Sequence, residues 1–165
     1  MVFWVPIGQN TTEMPSWRTL VSSLTDAPQQ LVSSPVRRSN AVRWKTTLDG
    51  RLREIVIIRV GHLTRAQYVL RQHVPALALA DGVSLEECAA LADWRASQHF
   101  SERERAALAY ADAMTRDIAV GDDIFGEVAR HFDTRAIVEL TVLIGSYNMN
   151  ARVLEALQLD LEPLS

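Results

Sequence analysis

From Asp49 onward, apolar positions recur at helical spacing, and each run is bounded by a cap or a turn. DGRLREIVIIRVGHL keeps Leu52, Ile55, Val56, Arg59 and Val60 in helical phase and is apolar nearly all round. That pattern predicts a central helix. The β-branched run 55–58 would also suit a buried strand, but no partner strand is visible elsewhere, so helix is the reading. Thr64 is placed to cap the next helix, which runs to Ala80 and stops at Asp81-Gly82. Pro75 lies inside it, lacks a backbone donor and clashes with the carbonyl four residues back, which predicts a kink near Arg71.

Two capping boxes follow. Ser84-x-x-Glu87 opens a short helix through Ala92, and Ser101-x-x-Glu104 opens ERERAALAYADAMTRD. The apolar stripe of the second comprises Ala107, Leu108, Ala111, Met114 and Ile118. Asp122 is placed to cap a helix through Arg130, and Asp133 to cap TRAIVELTVLIGSYNMNARVLEAL. Residues 1–48 read instead as an N-terminal arm, punctuated by Pro6, Pro15 and Pro28 and anchored by burial of Trp4 and Trp17. A short helix from Ser16 to Leu24, with Ser16 as N-cap, and a polar helical piece over 35–47 carrying Trp44 fall within it. No repeat, low-complexity segment or glycine-rich phosphate loop interrupts the chain. The expected fold is all-α: a single-domain helical bundle over 49–165 preceded by the arm.

Composition narrows the function classes. The chain has 165 residues, enough for one domain with a real core, with 48% apolar and 22% charged residues. The net charge of −3 and the lack of a basic stripe argue against nucleic acid as a partner. Arg37, Arg38, Arg43, Lys45, Arg51 and Arg53 cluster loosely, as a solvated face or a few anion contacts would. The opening MVFWVPIGQN has no positive flank and is broken by Pro6, so it reads neither as a signal peptide nor as a membrane span. No membrane association and a cytoplasmic location are the expectations. Cys88 is the single cysteine, which excludes an intrachain disulfide or a Cys-x-x-Cys site, and its setting in EECAALA predicts an inert thiol.

The two central helices carry the candidate chemistry. Glu54 shares a face with Ile57, Ile58 and Gly61, and a carboxylate on such a face needs a partner. Ala66, Val69 and His73 share a face of the next helix, so His73 also looks inward, alongside Leu70 and Leu77. Helices joined by a two- or three-residue turn pack antiparallel, which brings Glu54 and His73 to similar depth. A neighbouring carboxylate favours protonated imidazole and burial disfavours it, a balance suited to general acid–base work. The plainer alternative is a structural hydrogen bond between two core helices.

The segments LREIVIIRVGHLTRAQYVLRQH, DGVS, SERERAALAYADAMTRD and VELTVLIGSYNMNARVLEALQLDLEP resemble the carboxymuconolactone decarboxylase/AhpD-like family over about two-thirds of the chain. Peroxidase-type members have a glutamate, eleven residues, then Cys-x-x-Cys and a histidine four residues on. Glu54 and His73 match that frame, while Ala66 and Val69 stand at the cysteine positions. Thiol-based peroxide reduction is therefore excluded at this site, because it holds no nucleophilic or resolving sulfur. The resemblance implies the thiol-free branch: decarboxylase-like, with no metal or organic cofactor, acting on a small carboxylated or enolisable substrate. His73 would be the proton shuttle and Glu54 its partner. It also implies a homo-oligomer, a trimer or hexamer, as does the abundant apolar surface of the last helix, with a site between subunits.

Other polar residues are candidates for substrate binding. Tyr68 lies about 140° from His73 around the helix and suits either a substrate oxygen or an interface. His62, in the turn, suits either a helix cap or a pocket. Arg59 and Arg65 suit either a substrate carboxylate or an ordinary ion pair. Asn148 and Arg152, four apart beside Tyr147, suit either substrate contact or interhelix bonds. His99 and His131 read as surface residues. No metal-ligand spacing and no Gly-x-Ser-x-Gly elbow occur. Decarboxylation leads. Cyclisation, isomerisation or elimination on an enolisable metabolite stands second, and a non-catalytic oligomeric binding module third.

Overall fold

A computed structural model describes residues 46–157. The arm's helices over 16–24 and 35–47 and its tryptophan anchors lie outside the described residues. Six α-helices make up the described part: α1 (Gly50–Thr64), α2 (Gln67–Gln72), α3 (Leu85–Ala90), α4 (Glu102–Arg116), α5 (Asp122–His131) and α6 (Thr134–Ala156). A π-helical turn, His73–Ala78, extends α2, and a 3-10 turn, Leu91–Asp93, extends α3. No strand occurs among the described residues.

α1 is the hub, packing against α4, α6, α2 and both special turns. Leu52, Ile55, Val56, Ile57, Ile58 and Val60 are all buried, so the helix shows no solvent face over two turns. The Asp49 carboxylate caps it by accepting from the Leu52 amide at 2.8 Å. Gly61 lets α2 approach closely: a Cβ there would meet Leu70 at 3.0 Å and Val69 at 3.2 Å. Arg65 ends α1 in the left-handed region, φ 58°, with its amide directed to the Gly61 and His62 carbonyls. Thr64 does not cap α2 as the sequence led us to expect. It is the last residue of α1, and its hydroxyl donates to the Val60 carbonyl at 2.7 Å. Ala66 takes the N-cap position without a side-chain bond.

Pro75 acts differently from a simple kink. The buried positions on this helix are Ala66, Val69, His73 and Ala78, at steps of three, four and then five. Proline gives no amide to the carbonyl four residues back. The chain accommodates this by widening into a π turn, a device often found at functional sites. Ala78 thereby takes the inward place expected of Leu77, which is half-buried. The helix then closes on Gly82, φ 78°, with the Gly82 amide on the Leu79 carbonyl and the Val83 amide on that of Ala78. This is the Schellman arrangement, and glycine carries the positive φ at no steric cost.

Both capping boxes form, at Ser84–Glu87 and Ser101–Glu104. Each glutamate uses its other oxygen to hold Arg51 of α1, at 2.6 Å from Glu87 and 2.7 Å from Glu104. One guanidinium thus fastens the starts of α3 and α4 to the hub helix. The Arg51 hydrogen bond, against the opposing effect of burial, holds the Glu87 carboxyl down at about 2. Ser101→Ala is expected to lower stability by about 1 kcal/mol, read as a lower denaturant midpoint at unchanged slope. An unchanged midpoint would show that the Glu104–Arg51 pair alone fixes this helix start.

Glu139 of α6 anchors the chain entering α1. It accepts from both hydroxyls of Thr46 and Thr47, at 2.7 Å each, and from the Thr47 amide at 2.8 Å. The Thr47 hydroxyl and Arg135 hold its carboxyl at about 2. Asp133 caps α6 through the Ala136 amide at 2.7 Å. Asp122, in contrast, is the first residue of α5 and makes no cap bond, Gly121 taking the N-cap place. Ile118 leaves the α4 stripe altogether. It follows the helix end in the left-handed region, φ 67°, and is 84% exposed. Val138, Val142 and Met149 form an exposed apolar stripe on α6. No helix among the described residues is long and apolar enough to cross a membrane.

Candidate active site

Glu54 on α1 and His73 at the start of the π turn meet inside the bundle, at 0% and 6% exposure. Glu54 Oε2 and His73 Nδ1 are 2.7 Å apart. Local rules explain the meeting. Glu54 lies seven residues before Gly61, and the close α1–α2 crossing at Gly61 brings the two helices face to face. Against an ionised carboxylate, which only accepts, Nδ1–H is the donor, and a neutral ring then has its lone pair on Nε2. On that side stands the Tyr147 hydroxyl of α6, 3.3 Å from Nε2, with the two rings edge to face at 5.4 Å and 78°. The result is a line of carboxylate, imidazole and phenol drawn from three elements.

The sequence named Tyr147 but gave it no role in the site. A signal was available: Leu140, Leu143, Ile144, Tyr147 and Ala151 form the buried stripe of α6, and a phenol in such a stripe needs a polar partner.

The positions of Ala66 and Val69 are buried and apolar, beside Gly61 and the His73 face. Cys88 is buried on α3, and burial pushes its thiol up, with the charges of Glu87 and Glu54 adding to the effect. That environment suits an inert thiol rather than a nucleophile.

Arg59, His62, Asn148 and Arg152 bond to other parts of the bundle. Arg59 is buried and turned to the opposite task from meeting a substrate. It grips Asp112 of α4 through two bonds, at 2.6 and 3.0 Å. It also donates to the carbonyls of Leu91 and Ala92, at 2.9 and 2.8 Å. A guanidinium on an all-round buried helix needs such a shell, and these bonds occupy four of its five N–H groups. His62 donates from Nε2 to the Cys88 carbonyl at 3.2 Å, tying α1 to α3. Tyr68 is half-buried on another side of α2, and Arg65 is exposed. Asn148 donates to the Thr115 hydroxyl at 2.9 Å and to the Ile144 carbonyl at 3.1 Å. Arg152 in turn holds the Asn148 side chain and carbonyl and reaches the Thr115 carbonyl. This pair staples the end of α4 to α6, the interhelix alternative raised by the sequence. Among the described residues, no group of three or more His, Cys, Asp or Glu side chains is arranged to hold a metal ion.

Comparison with known proteins agrees with this reading of the fold. The profile of the carboxymuconolactone decarboxylase family matches residues 30–113. The uncharacterized protein YnjA of Escherichia coli (strain K12) is 33% identical over 124 residues, covering 74% of this chain and 67% of YnjA. The chain therefore belongs to the carboxymuconolactone decarboxylase family. Among solved structures, a protein of unknown function from Agrobacterium tumefaciens, provisionally assigned to the antioxidant defence protein AhpD, superposes with a TM-score of 0.72 at 24% identity. That match covers 86% of this chain and 94% of the other. The debrominase Bmp8 superposes with a TM-score of 0.64 at 22% identity, covering 80% and 69% of the two chains. These likenesses establish a shared helical fold.

Proposed function

We propose that this chain is a cofactor-independent acid–base enzyme acting on a small carboxylated or enolisable metabolite, with decarboxylation as its leading reaction. The observation that carries the reading is the buried Glu54–His73 hydrogen bond of 2.7 Å. The carboxylate fixes the ring's tautomer and orientation and supplies the counter-charge for an imidazolium, the arrangement a general acid–base needs. The apolar side chains of Ala66 and Val69, at the positions where thiol-bearing members of the family have cysteines, support chemistry without a thiol. In the reaction, the bond from the α-carbon to the carboxylate breaks heterolytically and carbon dioxide departs. The electron pair passes into the conjugated carbonyl as an enolate, and a proton is then delivered to carbon. The His73–Glu54 pair supplies that proton and recovers it from solvent. Cyclisation, isomerisation or elimination of an enolisable metabolite would use the same proton transfers.

The test is a panel of β-keto acids, unsaturated lactone acids and enolisable ketones, followed by NMR in deuterium oxide for carbon dioxide loss and for exchange at the α-carbon. Wild type is expected to turn over at least one class. Glu54→Gln, which keeps an acceptor for Nδ1–H but withdraws the charge, is expected to lower the rate by about 10²-fold or more. Full activity in Glu54→Gln, or silence of wild type across the panel, would overturn the proposal.

A further inference from the structure

Both ring nitrogens of His73 are engaged, Nδ1 by Glu54 and Nε2 by Tyr147. The phenolic oxygen, 3.3 Å from the nitrogen that the carboxylate does not hold, offers a route for a proton between this ring and a bound molecule. The order of groups is that of a nucleophile–base–carboxylate triad, with a phenol in the outer place. A phenol that donates its proton to a ring nitrogen retains lone pairs that accept from elsewhere, so it can exchange protons on two sides. We infer that Tyr147 is the catalytic residue that exchanges the proton with substrate, and that His73 is its base and Glu54 the positioning residue. This assignment rests on the acid–base reading above and deepens it, because it moves the point of substrate contact from the imidazole to α6.

The step balances. The Tyr147 proton passes to Nε2 as the phenolate oxygen removes a proton from the substrate's α-carbon, and the C–H electron pair enters the adjacent carbonyl to give an enolate. For decarboxylation the ring first takes a proton from solvent at Nε2. After carbon dioxide leaves, the phenol donates its proton to the enolate carbon, Nε2–H restores the phenol, and the ring is left neutral for the next cycle. Neither direction needs an oxidant, a reductant or a nucleophilic sulfur. The substrate class that fits is a carbonyl compound with an acidic α-position or a carboxylate conjugated to the carbonyl.

The experiment compares wild type, Tyr147→Phe and protein carrying a ring-fluorinated tyrosine at position 147, on whichever substrate class wild type turns over. Phenylalanine keeps the edge-to-face contact with His73 and removes only the hydroxyl. Tyr147→Phe is expected to lose about 10²- to 10⁴-fold in kcat with little change in KM, while nitrogen NMR still finds the proton of His73 on Nδ1. The fluorinated phenol is more acidic, so the pH–rate profile is expected to shift to lower pH. This second protein decides the matter should Tyr147→Phe fold poorly. Tyr147→Phe retaining wild-type turnover, or a pH profile indifferent to fluorination, would overturn the role of Tyr147 and leave His73 as the direct proton donor. Wild type silent on every class would overturn the acid–base reading and this role together.

Discussion

Replacing His73 with alanine is expected to lower turnover by about 10²- to 10⁴-fold while the chain still folds. The ring sits between Glu54 and Tyr147, and both proton-transfer contacts disappear with it. Stability falls as well, by about 1–3 kcal/mol, because a buried carboxylate loses a hydrogen-bond partner. His73→Gln separates the two effects. Its amide can still donate to Glu54, so stability recovers in part, but it cannot take up and release a proton. Turnover measured beside thermal melting distinguishes an acid–base group from a structural bond. If His73→Gln keeps full turnover, the pair does no more than hold α1 against the π turn.

Removing Asp112 is expected to be the most damaging single change to stability. Asp112→Ala leaves Arg59, 3% exposed, without its carboxylate, and breaking a buried pair in this way costs about 3–5 kcal/mol. Exposed Arg95 also bonds Asp112, at 2.5 Å, and the Trp94 indole donates to it at 3.4 Å, so a whole corner between α1, α4 and the 3-10 turn loosens. Burial pushes the Asp112 carboxyl up, but the hydrogen bonds and charges of Arg59 and Arg95 outweigh it and hold the group below its ordinary value. A carboxyl depressed in the folded state adds stability in full above its unfolded value of about 4, and that stability is lost as pH falls through the folded value. Wild type is therefore expected to lose stability in acid, below about pH 4, and Asp112→Asn to start lower and fall less steeply. Denaturant melts across that range check it: parallel slopes for the two proteins would mean that Asp112 is not the group responsible.

Much of the bundle was legible because its determinants are local. The capping boxes at Ser84 and Ser101, the Asp133 cap and the Gly82 stop lie within a few residues of what they control. So does the phase that turns Glu54 and His73 inward. The misreadings of Thr64 and Pro75, and the partners the sequence left open, have a common cause in competition between neighbours or contacts far along the chain. Thr64 can cap α2 or bond back to Val60, and the left-handed Arg65 settles the choice. Pro75 forbids one backbone bond, but whether the helix bends or widens depends on the packing around Ala78. Arg59 finds Asp112 fifty-three positions away, and no pattern in either helix names the other as its partner. Tyr147 was readable as an inward phenol, but the identity of its partner was set by α1, the π turn and α6 coming together.

The π turn has a consequence for how this chain can vary. From His73 to Ala78 it holds one residue more than a regular helix needs to bring its next inward side chain round. The solvent-facing side chain of Ala76 there is open to exchange. The number of residues is not. Deleting one would let the segment close into an ordinary helix and turn everything on one side of it by about 100° relative to the other, swinging His73 away from Glu54 or Ala78 out of the core. In this stretch the site depends on length more than on spelling.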